Sequence, residues 1–362
     1  MNPGPLKRPS IFYRHRNAGR IHPTDRAKSP PVSQRRPAND WPPDDHQRST
    51  LAAMTTRSRI IALDTGPLDV HAVAAVAREG AKVEVSPKAV RAMKASRRVV
   101  EGVLKSGEPF YGINTGFGSL AKRRIDQGDL AQLQVNLVRS HSAGVCEPLP
   151  TDVTRAMMLL LAGSLCRGLS GVRPEVAELI VVMLNKGITP IVPSVGSVGA
   201  SGDLAPLAAV ALAMIGEGRV TYNGREMVAT KAMVAAKVKP IALQAKEGLA
   251  LINGTHLMAA SAALLVGDAD RLFSAAVLAL GMSIDACRAT DAFLDQRLYQ
   301  ARRHAGAFDV ALRLRDLLDG STILTSHVEN DPRVQDPYSL RAGPTVLGSV
   351  QEALASVGLA VY

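Results

Sequence analysis

The longest uncharged stretch of the sequence, the twenty residues from Gly248 to Gly267, most strongly limits what this chain can fold into. A helix of that length measures about 30 Å, which also suffices to cross a bilayer. The sequence Asn-Gly-Thr-His at 253–256, near its start, and Asp268 directly after it favour a helix buried in a protein core, with a membrane span as the alternative. A buried helix of this length must be covered by other secondary-structure elements of the chain.

Apolar residues at helical spacing predict that these covering elements are helices. The predicted helices are 70–78, 87–104, 130–138, 151–166, 174–185, 204–215, 247–286 and 308–318, with an interruption of the seventh near Gly267. Strand signals are few, at 60–63 and 83–85, and the uncharged Gly, Ser and Pro residues of 188–202 predict no regular element. We therefore expect a mainly α fold, a bundle of long helices with a small mixed N-terminal region.

The formal charge of +11 is concentrated at one end of the chain. Residues 1–53 hold ten Lys and Arg, four Asp and nine of the 22 prolines, without a periodic apolar pattern. We expect this segment to be a disordered basic tail. One interpretation is translation from an upstream start codon, with Met54 beginning the real domain, and the other is a targeting sequence. Because the body of the chain is only mildly basic, nucleic-acid binding is the weakest functional alternative.

The three cysteines are odd in number and far apart, at Cys146, Cys166 and Cys287. No CxxC pair or Cys/His spacing predicts a metal site. This cysteine usage favours a reducing compartment, and we expect a cytoplasmic protein.

The most informative segment for chemistry is 194–207, SVGSVGASGDLAPL, which has three glycines and three serines between apolar helices. No phosphate-binding glycine pattern is present. One interpretation is a tight loop in which Asp203 caps the helix that begins at Leu204. A chemical interpretation is that the chain folds back at Ala200, Ser201 and Gly202, so that the amide nitrogen of Gly202 attacks the carbonyl carbon of Ala200. Dehydration would then leave 4-methylidene-imidazole-5-one (MIO), an electrophile made from the chain itself.

This segment resembles the signature of the aromatic amino acid ammonia-lyases. Three further blocks are similar in the same order: FYGINTGFG at 110–118, KEGLALINGT at 246–255 and QDPYSLR at 335–341. The resemblance extends from about Met54 to the end of the sequence and implies the helical fold of that family. It divides the body of the chain into a catalytic-loop region, 54–200, and the start of the central helical bundle, 201–362. Family members continue beyond the position of Tyr362, so we expect this sequence to be truncated at its C-terminus.

The resemblance implies a role for each residue of the site. Tyr111 would remove a β-proton from the substrate, and its neighbours must favour the phenolate because the reference pKa of tyrosine is about 10. Arg341 would bind the substrate carboxylate through its planar guanidinium, with a surface ion pair to Asp336 as the alternative. Asn253 would hold the substrate and the prosthetic ring, or else satisfy a local backbone group. Gln335 and Tyr338 would complete the polar wall.

His141 bears on the choice of substrate. Shortly after the Asn-Leu-Val segment at 136–138, this chain has Ser140 and His141. This pair resembles the Ser-His pair found at that position in histidine-using members of the family. An imidazole at this position can form a hydrogen bond with a polar substrate ring. The alternative is a core histidine whose ring nitrogens are hydrogen-bonded within the protein. We interpret His256, His304 and His327 as structural, although His256 stands where histidine-using members usually have Gln. Glu247 is interpreted as a charge at a helix start.

The resemblance therefore implies an enzyme of histidine catabolism, a carbon–nitrogen lyase that converts L-histidine to trans-urocanate and ammonia without oxidation. MIO would be its prosthetic group, with no external cofactor. The family builds its sites from several subunits, so the resemblance implies a homotetramer. The alternatives are a lyase or aminomutase for another aromatic amino acid, and an inactive helical fragment that serves in assembly.

Overall fold

The computed structural model describes residues 60–106, 108–116, 125–327, 329 and 331–361. Contacts divide the chain into Met1–Thr55 and Thr56–Tyr362, and every described residue belongs to the second unit. The predictions for the tail, 1–53, and for Phe117 and Gly118 therefore lie outside the described residues.

The first described elements form the small mixed region that the sequence predicts. Strand β1 (Ile60–Leu63) lies parallel to β2 (Lys82–Val85), with Ile61 opposite Val83, and helix α1 (Val70–Arg78) connects them. The carboxylate of Asp69 accepts a hydrogen bond from the Ala72 nitrogen at 2.6 Å, which fixes the start of α1.

Four helices follow, close to their predicted bounds: α2 (Pro87–Ser106), α3 (Leu130–His141), α4 (Thr151–Cys166) and α5 (Pro174–Lys186). Their ends show why local sequence predicts them. The Ser86 hydroxyl accepts a hydrogen bond from the Ala89 nitrogen at 3.1 Å, so Ser86 caps α2 as expected. Gly187 ends α5 in a left-handed conformation at φ 71°, which suits glycine.

Short strands correct the prediction that 188–202 lacks regular structure. The strands are β3 (Val145–Pro148), β4 (Thr189–Pro190), β5 (Pro193–Val195), β6 (Arg219–Tyr222) and β7 (Arg225–Val228). They pair antiparallel, β3 with β5 and β6 with both β4 and β7. Strands of two to four residues are too short to give a periodic signal, and only the β6–β7 pair has a local one, the turn at Asn223 and Gly224. Helices α6 (Leu204–Met214) and α7 (Ala229–Ala235) lie around these strands.

The uncharged stretch is broken, but not where the sequence suggests. Helix α8 (Glu247–Ile252) ends before Asn253, and α9 (His256–Ala286) then continues through Gly267 without interruption. We call residues 253–255 the α8–α9 junction. By length and composition alone, Glu247–Ala286 and Tyr338–Val361 are each apolar enough to cross a membrane. In the structure α9 packs against α1, α4, α11 and α14.

Five more helices complete the described chain: α10 (Gln296–Arg302), α11 (Ala305–Leu318), α12 (Thr322–Thr325), α13 (Tyr338–Arg341) and α14 (Gly343–Val361). Helix α9 joins two hydrophobic cores. Its residues Leu257–Leu264 pack into the first core, which also contains α1, α4, α5 and α6. Its residues Phe273–Ile284 pack into the second core, with α11 and Leu340. The fold is therefore mainly α, as predicted.

Candidate active site

The segment around Ser201 forms a turn closed on itself, and we call residues 197–202 the Ser201 loop. The Val198 nitrogen donates a hydrogen bond to the Gly202 oxygen at 2.9 Å, and the Gly202 nitrogen donates to the Gly199 oxygen at 2.9 Å. Gly202 has φ 127°, a conformation that side chains rarely adopt. Ala200 and Ser201 are exposed and Gly202 is buried. The turn thus brings the main chain of Ala200 close to that of Gly202.

Asp203 fixes this loop, and its role differs from the predicted one. Its side chain makes no capping hydrogen bond to α6, although Asp203 directly precedes that helix. Instead, fully buried, it accepts hydrogen bonds from the Leu257 and Met258 nitrogens at 2.7 and 3.1 Å. The Ser197 hydroxyl donates to the same carboxylate at 2.5 Å. Asp203 therefore joins the Ser201 loop to the first turn of α9, where the helix dipole favours a carboxylate.

Asn253 lies beside the Ser201 loop because the loop is bonded to the α8–α9 junction. The Asp203 nitrogen donates a hydrogen bond to the Gly254 oxygen at 2.8 Å. The side chain of Asn253 is exposed and its own nitrogen donates to the Leu249 oxygen at 3.1 Å, which ends α8. The break in the long helix thus presents a polar amide next to the main chain that carries Ser201.

A buried ion pair holds α8 in place. Glu247 is fully buried, accepts two hydrogen bonds from the Arg173 guanidinium, at 2.7 and 2.8 Å, and lies 3.9 Å from Arg97. The helix-start position predicted for Glu247 is confirmed, but its partners on α2 and before α5 came only from the structure. Through α8, this ion pair supports the position of Asn253.

His141 ends α3, and the chain after it packs against the start of the Ser201 loop. Its Nδ1 lies 2.9 Å from the Leu137 oxygen. A carbonyl oxygen only accepts, so Nδ1 carries the proton and Nε2 of the neutral ring is an acceptor. Gly144 lies against Gly196, and β3 pairs with β5 directly before the loop. The half-buried ring of His141 therefore belongs to the same end of the first core as Ser201.

Tyr111 lies at the exposed tip of a tight turn. Asn114 closes this turn, since its side chain accepts a hydrogen bond from the Phe110 nitrogen at 2.7 Å and donates to the Glu108 oxygen at 2.7 Å. Gly112 has φ 73°, which the turn requires. The Tyr111 side chain is 62% exposed, so its phenol is accessible from solvent.

The segment that contains Gln335, Tyr338 and Arg341 belongs to the second core. Gln335 is exposed, Tyr338 is 76% exposed, and the Arg341 guanidinium lies 6.0 Å from the centre of the Tyr338 ring. The alternative of an ion pair between Arg341 and Asp336 is wrong. Asp336 instead accepts hydrogen bonds from the nitrogen and the hydroxyl of Thr290, at 2.9 and 2.6 Å.

Helix α9 shows how far apart the two groups of site residues are. Met258 of α9 lies beside Gly199 of the Ser201 loop, and Leu280 lies against Gly343, two residues after Arg341. These two positions on one continuous helix are about 33 Å apart at a rise of 1.5 Å per residue. One copy of the chain thus brings His141, Ser201 and Asn253 to one region and leaves Arg341 in another.

The sequence model of the aromatic amino acid lyase family matches residues 68–361. The chain belongs to this family. A histidine ammonia-lyase of Treponema denticola is 44% identical over 290 residues, which are 80% of this chain and 57% of that protein. A histidine ammonia-lyase of Deinococcus radiodurans is 46% identical over 288 residues, 80% of this chain and 55% of its own length. The chain thus spans little more than half the length of these curated relatives.

Solved structures give the same family. The histidine ammonia-lyase of Trypanosoma cruzi is 37% identical, with a TM-score of 0.73 over 82% of this chain and 55% of that one. A tyrosine aminomutase of Streptomyces globisporus is 35% identical, with a TM-score of 0.74 over 82% and 59% of the two chains. The fold class predicted from the sequence is confirmed.

Proposed function

We propose that this chain is part of a histidine ammonia-lyase, which eliminates ammonia from L-histidine to give trans-urocanate by means of an MIO group formed from Ala200, Ser201 and Gly202. The observation that carries the proposal is the closed Ser201 loop, held by the buried carboxylate of Asp203. The free thiols of Cys146, Cys166 and Cys287 fit the reducing cytoplasm in which we place the enzyme.

The residues of the loop fit the formation of this group. Ring closure needs the Gly202 nitrogen to bond to the Ala200 carbonyl carbon, with loss of that oxygen as water. A second water comes from the Ser201 hydroxyl and the hydrogen on the Ser201 Cα, which leaves the methylidene. A Cβ at position 202 would be strained at φ 127°, so glycine suits the bend. When formed, the group supplies an electrophile that withdraws electrons from the substrate amine.

The other site residues bind the substrate and move its proton. We assign Tyr111 the removal of the β-proton, after which the bond between Cα and nitrogen breaks and the carbon–carbon double bond forms. Arg341 binds the carboxylate, with Gln335 and Tyr338 beside it, and Asn253 binds near the Ser201 loop.

His141 selects the substrate. Its neutral ring has Nε2 as an acceptor, which can receive a hydrogen bond from the ring nitrogen of the substrate histidine. A phenyl ring offers no such donor, and this difference favours histidine over phenylalanine.

We propose that a second copy of the chain completes this site. The proposal is supported by the separation of about 33 Å along α9 between Met258, beside the Ser201 loop, and Leu280, which contacts Gly343. Apolar side chains exposed on α9 and α14 offer a surface for such association. The most exposed of them are Leu265, Leu272, Met282, Val346 and Leu359. We propose a homotetramer, in which symmetry places the Arg341 of one copy near the Ser201 of another.

The mass of the protein tests the proposal. Trypsin releases residues 187–219 as one peptide, and we expect it to be lighter by about 36 Da, two waters, as formation of the self-made electrophile requires. Ser201→Ala is the matched control, since it lacks the hydroxyl that leaves. The purified chain is then assayed with L-histidine for urocanate. An unmodified peptide in the native chain would contradict the proposal.

An aminomutase is the second candidate, because tyrosine and phenylalanine aminomutases are among the similar structures. Such an enzyme would return the ammonia to the β-carbon instead of releasing it. Chromatography of the products separates the two candidates, since only a mutase yields a β-amino acid.

A further inference from the structure

His256 is the first residue of α9, and its hydrogen bond defines its protonation. Its Nε2 lies 2.9 Å from the hydroxyl oxygen of Ser164 on α4. That hydroxyl has one proton, which it donates to the Leu161 oxygen at 3.0 Å. Nε2 must therefore be the donor to Ser164, and Nδ1 of the neutral ring is unprotonated.

The Nδ1 edge of this ring lies against the α8–α9 junction. Nδ1 is buried and has no hydrogen-bond partner in the described part of the chain. A Cβ placed on Gly254 would lie 2.5 Å from Nδ1, so the ring and the Gly254 main chain are in close contact. The Gly254 oxygen in turn accepts the hydrogen bond from the Asp203 nitrogen. A displacement of Gly254 would therefore disturb the hydrogen bond to Asp203, the residue that follows the Ser201 loop.

We propose that His256 is a positioning residue for Asn253 and the Ser201 loop, and that it holds them in place only while its imidazole is neutral. The inference deepens the proposed function and rests on it for its catalytic meaning. Protonation would add a hydrogen to Nδ1, directly against Gly254, where the described residues provide no acceptor. A buried donor without an acceptor is unfavourable, so the ring or Gly254 must move.

The surroundings of the ring agree with a neutral state near pH 7. Burial lowers the pKa of His256 below its usual 6.5, and the carboxylate of Asp203 opposes this in part. Asp203, directly after the Ser201 loop, acts on the ring through its charge, while the uncharged Ser164 of α4 and Gly254 of the α8–α9 junction contact the ring. The charged form is therefore reached only on the acidic side of the usual histidine range.

Hydrogen exchange of the full chain tests the inference. We compare the wild type with His256→Gln at about pH 8 and about pH 5.5, with exchange times scaled for the intrinsic effect of pH on amides. Gln is neutral at both pH values and its amide can donate to Ser164. His71→Gln, on the exposed side of α1, is the matched control.

We expect peptides covering 197–207 and 250–258 of the wild type to exchange at least about three-fold faster at the lower pH, because local opening exposes their amides. His71→Gln should behave likewise, His256→Gln should show no such change, and 305–318 of the second core should be unaffected in all three. Equal responses of the wild type and His256→Gln would overturn the inference. If His256→Gln does not fold, the wild type alone decides. The inference is overturned if exchange of its peptides 197–207 and 250–258 increases at the lower pH by no more than exchange of 305–318.

Turnover adds a readout that a purely structural role would not change. Protonation of the substrate imidazole affects both proteins equally, so only the wild type should show an additional loss of kcat in acid. The 36 Da loss is measured separately. Its absence contradicts the proposed function, whereas the exchange result decides the role of His256 alone.

Discussion

Asp203 in the first core and Asp336 in the second are both buried aspartates that accept hydrogen bonds from another element, yet their surroundings differ. Asp203 joins a closed loop to the start of a long helix, and the site residues there are bonded to one another through the main chain. Asp336 ties its segment to Thr290, while Gln335 and Tyr338 on either side extend into solvent. The comparison teaches that one copy of the chain organises the region proposed to form the electrophile, whereas the residues proposed to bind the carboxylate are left exposed.

The largest expected effect comes from mixing two inactive variants, Ser201→Ala and Arg341→Ala. Each should lack turnover alone, one without the electrophile and the other without the carboxylate clamp. If Ser201 and Arg341 of a site come from different copies, an equal mixture refolded together should recover about a quarter of wild-type activity, by random pairing in a symmetric assembly. Mixing without refolding is the control. No recovery, in a wild type that is active, would mean that both residues come from one copy.

A smaller effect separates the two aspartates. Asp203→Asn removes the charge that three donors share, and we expect a loss of about 1–3 kcal/mol in the free energy of unfolding. It should also reduce the fraction of chains that lose two waters. Asp336→Asn, the matched change in the second core, should cost a similar amount in stability but leave that fraction unchanged. Denaturant unfolding measures the free energy of unfolding, and peptide masses measure the fraction of chains that lose two waters. An equal fraction in the two variants would contradict the comparison.

The smallest effect concerns an exposed ion pair beside the first core, between Arg78 of α1 and Asp268 of α9. Hydrogen bonds from Arg78 and Arg271 lower the pKa of Asp268 to about 2. A lowered pKa means that this stabilisation is present above the usual 3.8 and is lost as the pH falls through about 2. Asp268→Asn should lower the free energy of unfolding by less than about 1 kcal/mol at pH 7, because the pair is solvent-exposed. The difference between variant and wild type should shrink between about pH 4 and pH 2, and thermal unfolding measures it.

Much of the fold could be predicted because its signals are local. Ser86 before α2, and Pro174 and Gly187 at the ends of α5, act on main-chain groups within a few residues, so the sequence contains the whole interaction. Helix α14 was not predicted, because it depends on contacts that are distant in the sequence. Its Gly343, Pro344 and Gly348 are poor helix formers, and its stability comes from packing on α11, where a Cβ on Gly348 would overlap the main chain of Ala307.

The candidate site shows the same division. The motifs around Ser201 and Asn253 could be found in the sequence, but the partner of Asp203 could not, because Leu257 lies 54 positions away. The break at Gly254 also depends on this distant carboxylate, which binds the first turn of α9 and so defines where that helix begins. The separation of Arg341 from Ser201 follows from α9 being a continuous helix. The sequence pattern predicts an interruption near Gly267, so this separation could not be derived from the sequence.

The most direct test of the account is a distance measurement by electron double resonance. Spin labels are placed at Met258→Cys and Tyr338→Cys, with the exposed Cys146 and Cys287 replaced by Ser. In doubly labelled chains diluted with unlabelled protein, we predict a distance on the order of 33 Å, because Leu280, which contacts Gly343 just after α13, lies 22 helical residues from Met258. Undiluted protein should add a shorter distance between copies. A single short distance that persists on dilution would contradict the account, because one copy would then bring both halves of the site together.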